Sequence, residues 1–189
     1  MRILGVLHDP QSILSPNEFA QIEKFIIDKC YCTITELDWL WRIVLRDDGP
    51  RGYRGYWAVQ YLQVGARIES ARAIIVLNSF YLLTVEQILK TLAHEYGHHW
   101  TLMYMLDRLN RPFQDPAPPL YYRIRGLTPG DFAPDYSRGW DRCDKEVLAE
   151  DYKYHFSPYK GKHRMENFIG NPTGEVRDYI WSLGKPHFI

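Results

Sequence analysis

Apolar positions recur at helical spacing in several stretches of the chain and gather into short β-branched runs in others. Ser15-Pro16-Asn17-Glu18 gives a Ser cap followed by proline at the first helical position, and Phe19, Ile22, Phe25 and Ile26 then repeat on one face. The spacing predicts an amphipathic helix ending near Lys29. Thr84-Val85-Glu86-Gln87 has the form of a capping box, with Ile88, Leu89, Leu92 and Ala93 on the apolar side of the helix it opens. That helix continues through His94 to about Leu109, where Asn110-Arg111-Pro112 stops it. A further helix is expected from about Asp144 to Tyr154, before Ser157-Pro158, and a short one around Glu175 to Leu183.

Strands are read from shorter signals. Arg72 to Asn78 is β-branched and bounded by polar residues, and Arg2 to Leu7 alternates weakly. Between Thr33 and Val64 the pattern is ambiguous: Ile43, Val44 and Leu45 suggest a strand, Thr35 to Asp38 an opening helix, and Asp47 to Pro50 a turn. Gln114 to Asp135 holds five of the twelve prolines and reads as a loop long enough to be functional or mobile.

A chain of 189 residues with 46% apolar and 24% charged residues suits one core rather than two. We therefore expect a single α+β domain, 1–189, with a sheet-containing part at 1–83, a long helix at 84–110, a Pro/Tyr-rich loop region at 111–143, and a helix and tail at 144–189. Acidic and basic residues balance at 23 each, so no global field favours nucleic acid or an anionic membrane. Arginines between Arg42 and Arg72, interleaved with Tyr53, Tyr56 and Trp57, could track a phosphate backbone, but a solvated, Gly-containing loop beside strands is the preferred reading. With no secretory signal and no membrane-length apolar run, a cytoplasmic location and no membrane partner are expected. Cys30, Cys32 and Cys143 are too few and too odd in number for a disulfide scaffold, so reduced thiols are expected.

Chemistry enters with His94-Glu95-Tyr96-Gly97-His98. Residues four apart on a helix share a face, so His94 and His98 can meet one metal ion, and zinc accepts such imidazole nitrogens. Glu95 stands to one side, placed to take a proton from water rather than to bind the ion. Gly97 leaves room for a neighbouring segment. His99 is rotated by about 100° around the axis and is read as structural.

A catalytic metal needs a third protein ligand, and Glu146 is the downstream candidate. A helix from Asp144 puts Glu146 and Glu150 on one face, the first for the metal and the second to accept a hydrogen bond from a ligating histidine, with Ala149 allowing close packing. Cys143, one turn before Glu146, is read as a small buried residue, with a thiolate reaching the metal as the alternative.

His94-Glu95-x-x-His98 followed by Glu146-x-x-Ala149-Glu150 resembles the gluzincin metallopeptidases, and the segment Glu146 to Tyr152 is locally most similar to the anthrax lethal factor and Pro-Pro endopeptidase group. The matching motifs span about a dozen residues. The resemblance implies a zincin-like domain with a small mixed sheet, an HExxH helix and a second helix carrying the glutamate ligand. It implies a Zn2+ cofactor held by His94, His98 and Glu146, and hydrolysis of a peptide bond by metal-activated water with Glu95 as general base. It also implies a tyrosine before the ligand glutamate that stabilises the oxyanion. Tyr136 is the upstream candidate, farther from Glu146 than the family pattern places it, and Tyr152 and His155 are rivals. By the same analogy the strand Ala73 to Asn78 edges the cleft and pairs with an extended peptide or protein substrate, while Pro112 to Tyr122 is a candidate lid or specificity wall. The alternative reading is a catalytically weak zincin-fold regulatory or binding module.

Overall fold

The structure, a computed structural model, describes residues 5–30, 39–65, 67–112, 114–157 and 163–183. Its frame is a sheet of four strands: β1 (Leu7–His8), β2 (Leu40–Arg46), β3 (Gly55–Val64) and β4 (Arg67–Asn78), in the spatial order β1-β2-β4-β3. β1 and β4 run parallel to β2, whereas β3 folds back antiparallel to β4 with Trp57 opposite Ile75. The sheet is mixed because β3 and β4 are joined by a tight turn in which Gly65 adopts a positive φ of 60°.

One face of the sheet supplies the core. Leu40, Ile43 and Leu45 of β2 and Ala73, Ile75 and Leu77 of β4 are buried, and α1 (Pro16–Lys29) contributes Ile22, Phe25 and Ile26 to the same cluster. The start of α1 obeys its sequence: the Ser15 side chain accepts from the Glu18 backbone, and Glu18 accepts from the Ser15 backbone N–H at 2.8 Å. α2 (Val85–Asp107) lays Leu89, Leu92, Ala93 and Tyr96 into that core. Its cap differs slightly from expectation, because Gln87 accepts from the Leu83 backbone at 2.8 Å rather than from that of Thr84 itself.

Three expectations require correction. Ala73 to Asn78 is not the sheet edge, because β4 is paired on both sides, to β2 and to β3. The edge is β3, and the stretch read as a solvated loop around Tyr56 and Trp57 is a strand of 10 residues. The Pro/Tyr-rich region is not wholly loop: Pro118 and Pro119 open α3 (Pro119–Arg125), closed by Gly126 at φ 71°. Proline is favoured in a first helical turn, where its missing N–H is no loss, so a proline-rich run marks this helix start. Of the remaining expectations, Arg2 to Leu4 and the helix opening at Thr35 to Asp38 lie outside the described residues, as does Cys32.

The C-terminal part packs on α2. α4 (Asp144–Phe156), the short α5 (Glu166–Ile169) and α6 (Gly174–Leu183) complete six helices among the described residues. Trp100 Nε1 donates to the Ile180 carbonyl at 2.7 Å, joining α2 to α6, and the Tyr152 hydroxyl donates to the Cys30 carbonyl at 2.8 Å, joining α4 to the end of α1. No helix among the described residues is long and apolar enough to cross a membrane.

Candidate metal centre

The second half of α2 carries His94, Glu95 and His98, and α4 crosses it at Gly97. A Cβ placed on Gly97 would lie 2.9 Å from Ala149 Cα and 3.0 Å from the Ala149 carbonyl oxygen, so the two helix backbones approach as closely as these small residues permit. That approach brings Glu146, one turn before Ala149, over the two histidines. Their rings stand 4.9 Å apart at 88° to each other.

Glu146 Oε2 lies 3.0 Å from His94 Nε2 and 3.4 Å from His98 Nε2. These three residues form a group that could hold a metal ion, with one donor atom from each within 4.8 Å of the others. Glu146 Oε1 accepts from the Tyr136 hydroxyl at 2.6 Å, so the two carboxylate oxygens have separate tasks. Behind the histidines, Glu150 Oε1 sits 2.8 Å from His94 Nδ1, close although not aligned as a hydrogen bond. Lys153 Nζ in turn grips both oxygens of Glu150 at 2.6 Å.

The electrostatics of the cluster favour a cation. Burial alone would discourage charge on His94, but Glu146 and Glu150 outweigh it and raise the imidazole above its ordinary value. Burial likewise opposes ionisation of Glu146, and its bonds to His94 and His98 reverse that and hold the carboxyl well below the usual range. The carboxylates around His94 therefore stabilise positive charge on that imidazole, beside the point where the three donors converge.

Glu95 is 6% exposed and lies outside the ligand group, against β3. Burial raises its pKa, opposed by the neighbouring His94 and His98 and by a hydrogen bond from the Trp57 backbone. Gly55 allows this contact, since a Cβ there would lie 3.2 Å from Glu95 Cγ and 2.8 Å from Thr91 Cγ2. His99 turns away from the cluster, and its Nδ1 accepts from Trp57 Nε1 at 3.2 Å, fastening α2 to the edge strand.

The three tyrosine and histidine candidates separate clearly. Tyr136 lines the cleft and touches Glu146; the residue is 63% exposed, with its hydroxyl turned inward. Tyr152 is buried with its hydroxyl committed to Cys30, and His155 is not part of the cleft lining. Cys143 does line the cleft, but burial raises its thiol pKa, which disfavours the reactive thiolate.

The cleft has a volume of 1190 Å³. Its near wall is β3 from Gly55 to Val59, its floor is α2, and its far wall includes Pro134, Tyr136, Trp140 and Arg164. The wall residues Trp140, Lys153 and Arg164 carried no signal in the sequence as site residues. The aromatic character of Tyr53, Tyr56 and Trp57 was visible, and it belongs to this wall. The chain matches no protein-family model, no curated protein and no solved structure.

Proposed function

We propose that the protein is a zinc-dependent metallopeptidase of gluzincin type, with a zincin-like arrangement of sheet, HExxH helix and glutamate-ligand helix. The observation that carries this reading is the sharing of Glu146 Oε2 between His94 Nε2 and His98 Nε2 at 3.0 and 3.4 Å. In a tetrahedral zinc site with bonds of ~2.0–2.1 Å, neighbouring donors stand ~3.3 Å apart, so the spacing suits that ion. His94, His98 and Glu146 would hold it. When bound, zinc supplies Lewis acidity, polarising a carbonyl and lowering the pKa of water towards about 7.

The chain's own groups do the rest. Glu95, outside the ligand group and with a raised pKa, accepts a proton from the attacking water and returns it to the leaving amine, which favours a base poised nearer neutrality than an exposed glutamate. Tyr136 remains protonated, because burial and Glu146 both raise its pKa, and its hydroxyl is a donor that can turn from Glu146 Oε1 to a developing oxyanion. Glu150 fixes the orientation of the His94 ring. The free edge of β3 offers backbone groups to an extended peptide or protein lying in the cleft.

A second reading, a zincin-fold binding module with little turnover, is supported by the engagement of the Tyr136 hydroxyl with Glu146. One variant separates the two. Glu95→Gln keeps the ligand set and, on the peptidase reading, retains the zinc content of the wild type while losing cleavage of a peptide library. Wild-type protein that binds zinc stoichiometrically and cleaves nothing in that library would leave the binding module.

A further inference from the structure

The cleft is electrically lopsided. Lys90 lies one turn before His94 on α2, and Arg54 precedes Gly55, whose Cα abuts Thr91 and Glu95. Lys153 holds Glu150 against His94. Arg164 stacks over Trp140 at 4.2 Å from its ring centre, and that ring is 6.1 Å from the ring of His94. Lys90, Lys153 and Arg164 are therefore attached to the His94 side of the cluster, and Arg54 lies just before β3 where that strand packs on Thr91 and Glu95. On the His98 side the lining residues Val59, Leu102 and Gln114 are neutral, and the cation beside Gln114, Lys145, is bound to the Asp115 carbonyl.

Two of the four cations are already neutralised, Lys90 by Glu86 and Lys153 by Glu150. Lys145, which also reaches the lining, is committed to Asp144 at 2.8 Å and to the Asp115 carbonyl at 2.6 Å. Arg54 and Arg164 have no carboxylate partner among the described residues. Stacking on Trp140 fixes the plane of the Arg164 guanidinium, and its edge keeps N–H donors in the forked geometry that matches a carboxylate. Asp135, the acidic lining residue outside the cluster around the histidines, is occupied in capping the Ser137 backbone at 3.0 Å.

We propose that the substrate is an acidic peptide, with a carboxylate on the His94 side of the scissile bond held by Arg164 and, across the cleft, by Arg54. The inference rests on the peptidase reading and adds the substrate class to it. Arg164 and Arg54 are specificity-determining residues: they hold a group remote from the bond that breaks. Their effect falls on KM and on kcat/KM more than on kcat.

The test uses the zinc-loaded full chain and quenched-fluorescence peptides with amidated ends that differ only in carrying Glu, Gln or Lys at positions flanking the cleaved bond. A further arm carries no acidic side chain but a free C-terminal carboxylate, to separate the two sources of the charge. Binding of the same peptides to the Glu95→Gln variant is measured by calorimetry. The Glu peptide is expected to exceed the Gln peptide in kcat/KM by on the order of tenfold, with the Lys peptide lower still. Arg164→Gln removes the preference, Arg164→Glu inverts it towards Lys, and neither changes zinc content. Cleavage without charge preference, or an Arg164→Glu variant that keeps the wild-type order, overturns the acidic-substrate inference and leaves the peptidase standing. Charge-selective binding with no cleavage by the wild type overturns the peptidase reading and leaves acidic recognition. Displacement of the bound Glu peptide by a lower concentration of a single-stranded oligonucleotide overturns the peptide in favour of nucleic acid.

Discussion

Gly97 and Ala149 touch backbone to backbone, and the position of Glu146 over His94 and His98 depends on that contact. Neither partner in the clash that a Gly97 Cβ would create is a flexible side-chain end: the nearest atoms are Ala149 Cα, the Ala149 carbonyl oxygen and Tyr152 Cβ, at 2.9 to 3.0 Å. Gly97→Ala therefore forces the helices apart. Overpacking of this kind costs about 1–3 kcal/mol, which thermal unfolding reads as a fall in Tm of several degrees. Zinc affinity is expected to fall in the same variant, since the third donor retreats from the other two. A Gly97→Ala protein with wild-type Tm and wild-type metal affinity would show that the helices have slack that the structure does not contain.

Glu150 acts through His94. Its carboxylate lies against the ring nitrogen that does not face Glu146, and it is itself held by Lys153 and by the Arg164 backbone N–H at 3.3 Å. Glu150→Gln keeps the volume and removes the charge. Metal affinity measured by competition with a chromophoric chelator is expected to fall ~10–100-fold, while circular dichroism stays unchanged. Unaltered affinity would mean that the His94 ring is oriented by packing alone.

Much of this site is legible along the chain because it is built on two helices with local rules. His94, Glu95 and His98 are related by helix periodicity, and so are Glu146, Ala149 and Glu150, so each trio declares its shared face in the sequence. What is not legible is pairing over long sequence distances. β3 escapes notice because it is an edge strand with intermediate or exposed positions throughout, and its Gly55 and Tyr56 sit among turn residues. The placement of β4 inside the sheet depends on β2 and β3 flanking it, which no local signal records. The stacking of Arg164 on Trp140 joins the turn before α5 to a 3-10 turn before α4 and leaves no periodic trace.

His155 makes the stability of the protein sensitive to mild acid. Its Nε2 is buried without a partner among the described residues, and burial lowers its pKa from the ordinary 6.5, with Asp151 opposing and Arg177 adding to the effect. A depressed imidazole favours the unfolded chain once protons are available. The protein keeps its full stability above pH ~6.5, loses this part as pH falls below that value, and has lost all of it below the folded-state pKa. In metal-free protein, Tm should decline less between pH 7 and 5 for His155→Gln than for the wild type. Parallel declines in the two proteins would show that His155 carries none of this acid sensitivity.

Asp151, the neighbour of Glu150, shows how α4 divides its acidic residues between chemistry and scaffold. One residue further on, the side chain points to another face, where Asp151 is fully buried and accepts from the Tyr121 hydroxyl at 2.7 Å, from Arg125 Nε at 2.9 Å and pairs with His163 Nε2 at 2.8 Å. Arg125 then extends to the Ile169 and Gly170 carbonyls, so a single carboxylate ties α3, α4 and the segment around α5 together. Removing the charge leaves a buried guanidinium without its counter-ion, and breaking a buried pair in this way costs about 3–5 kcal/mol. Asp151→Asn should therefore lower the midpoint of denaturant unfolding far more than Glu150→Gln does, while Glu150→Gln lowers metal affinity far more than Asp151→Asn. The crossed pattern is the expected outcome of two adjacent carboxylates, about 100° apart around the axis, serving different faces of one helix. If both substitutions shifted stability and metal affinity in the same proportion, the faces would be coupled and the division would fail.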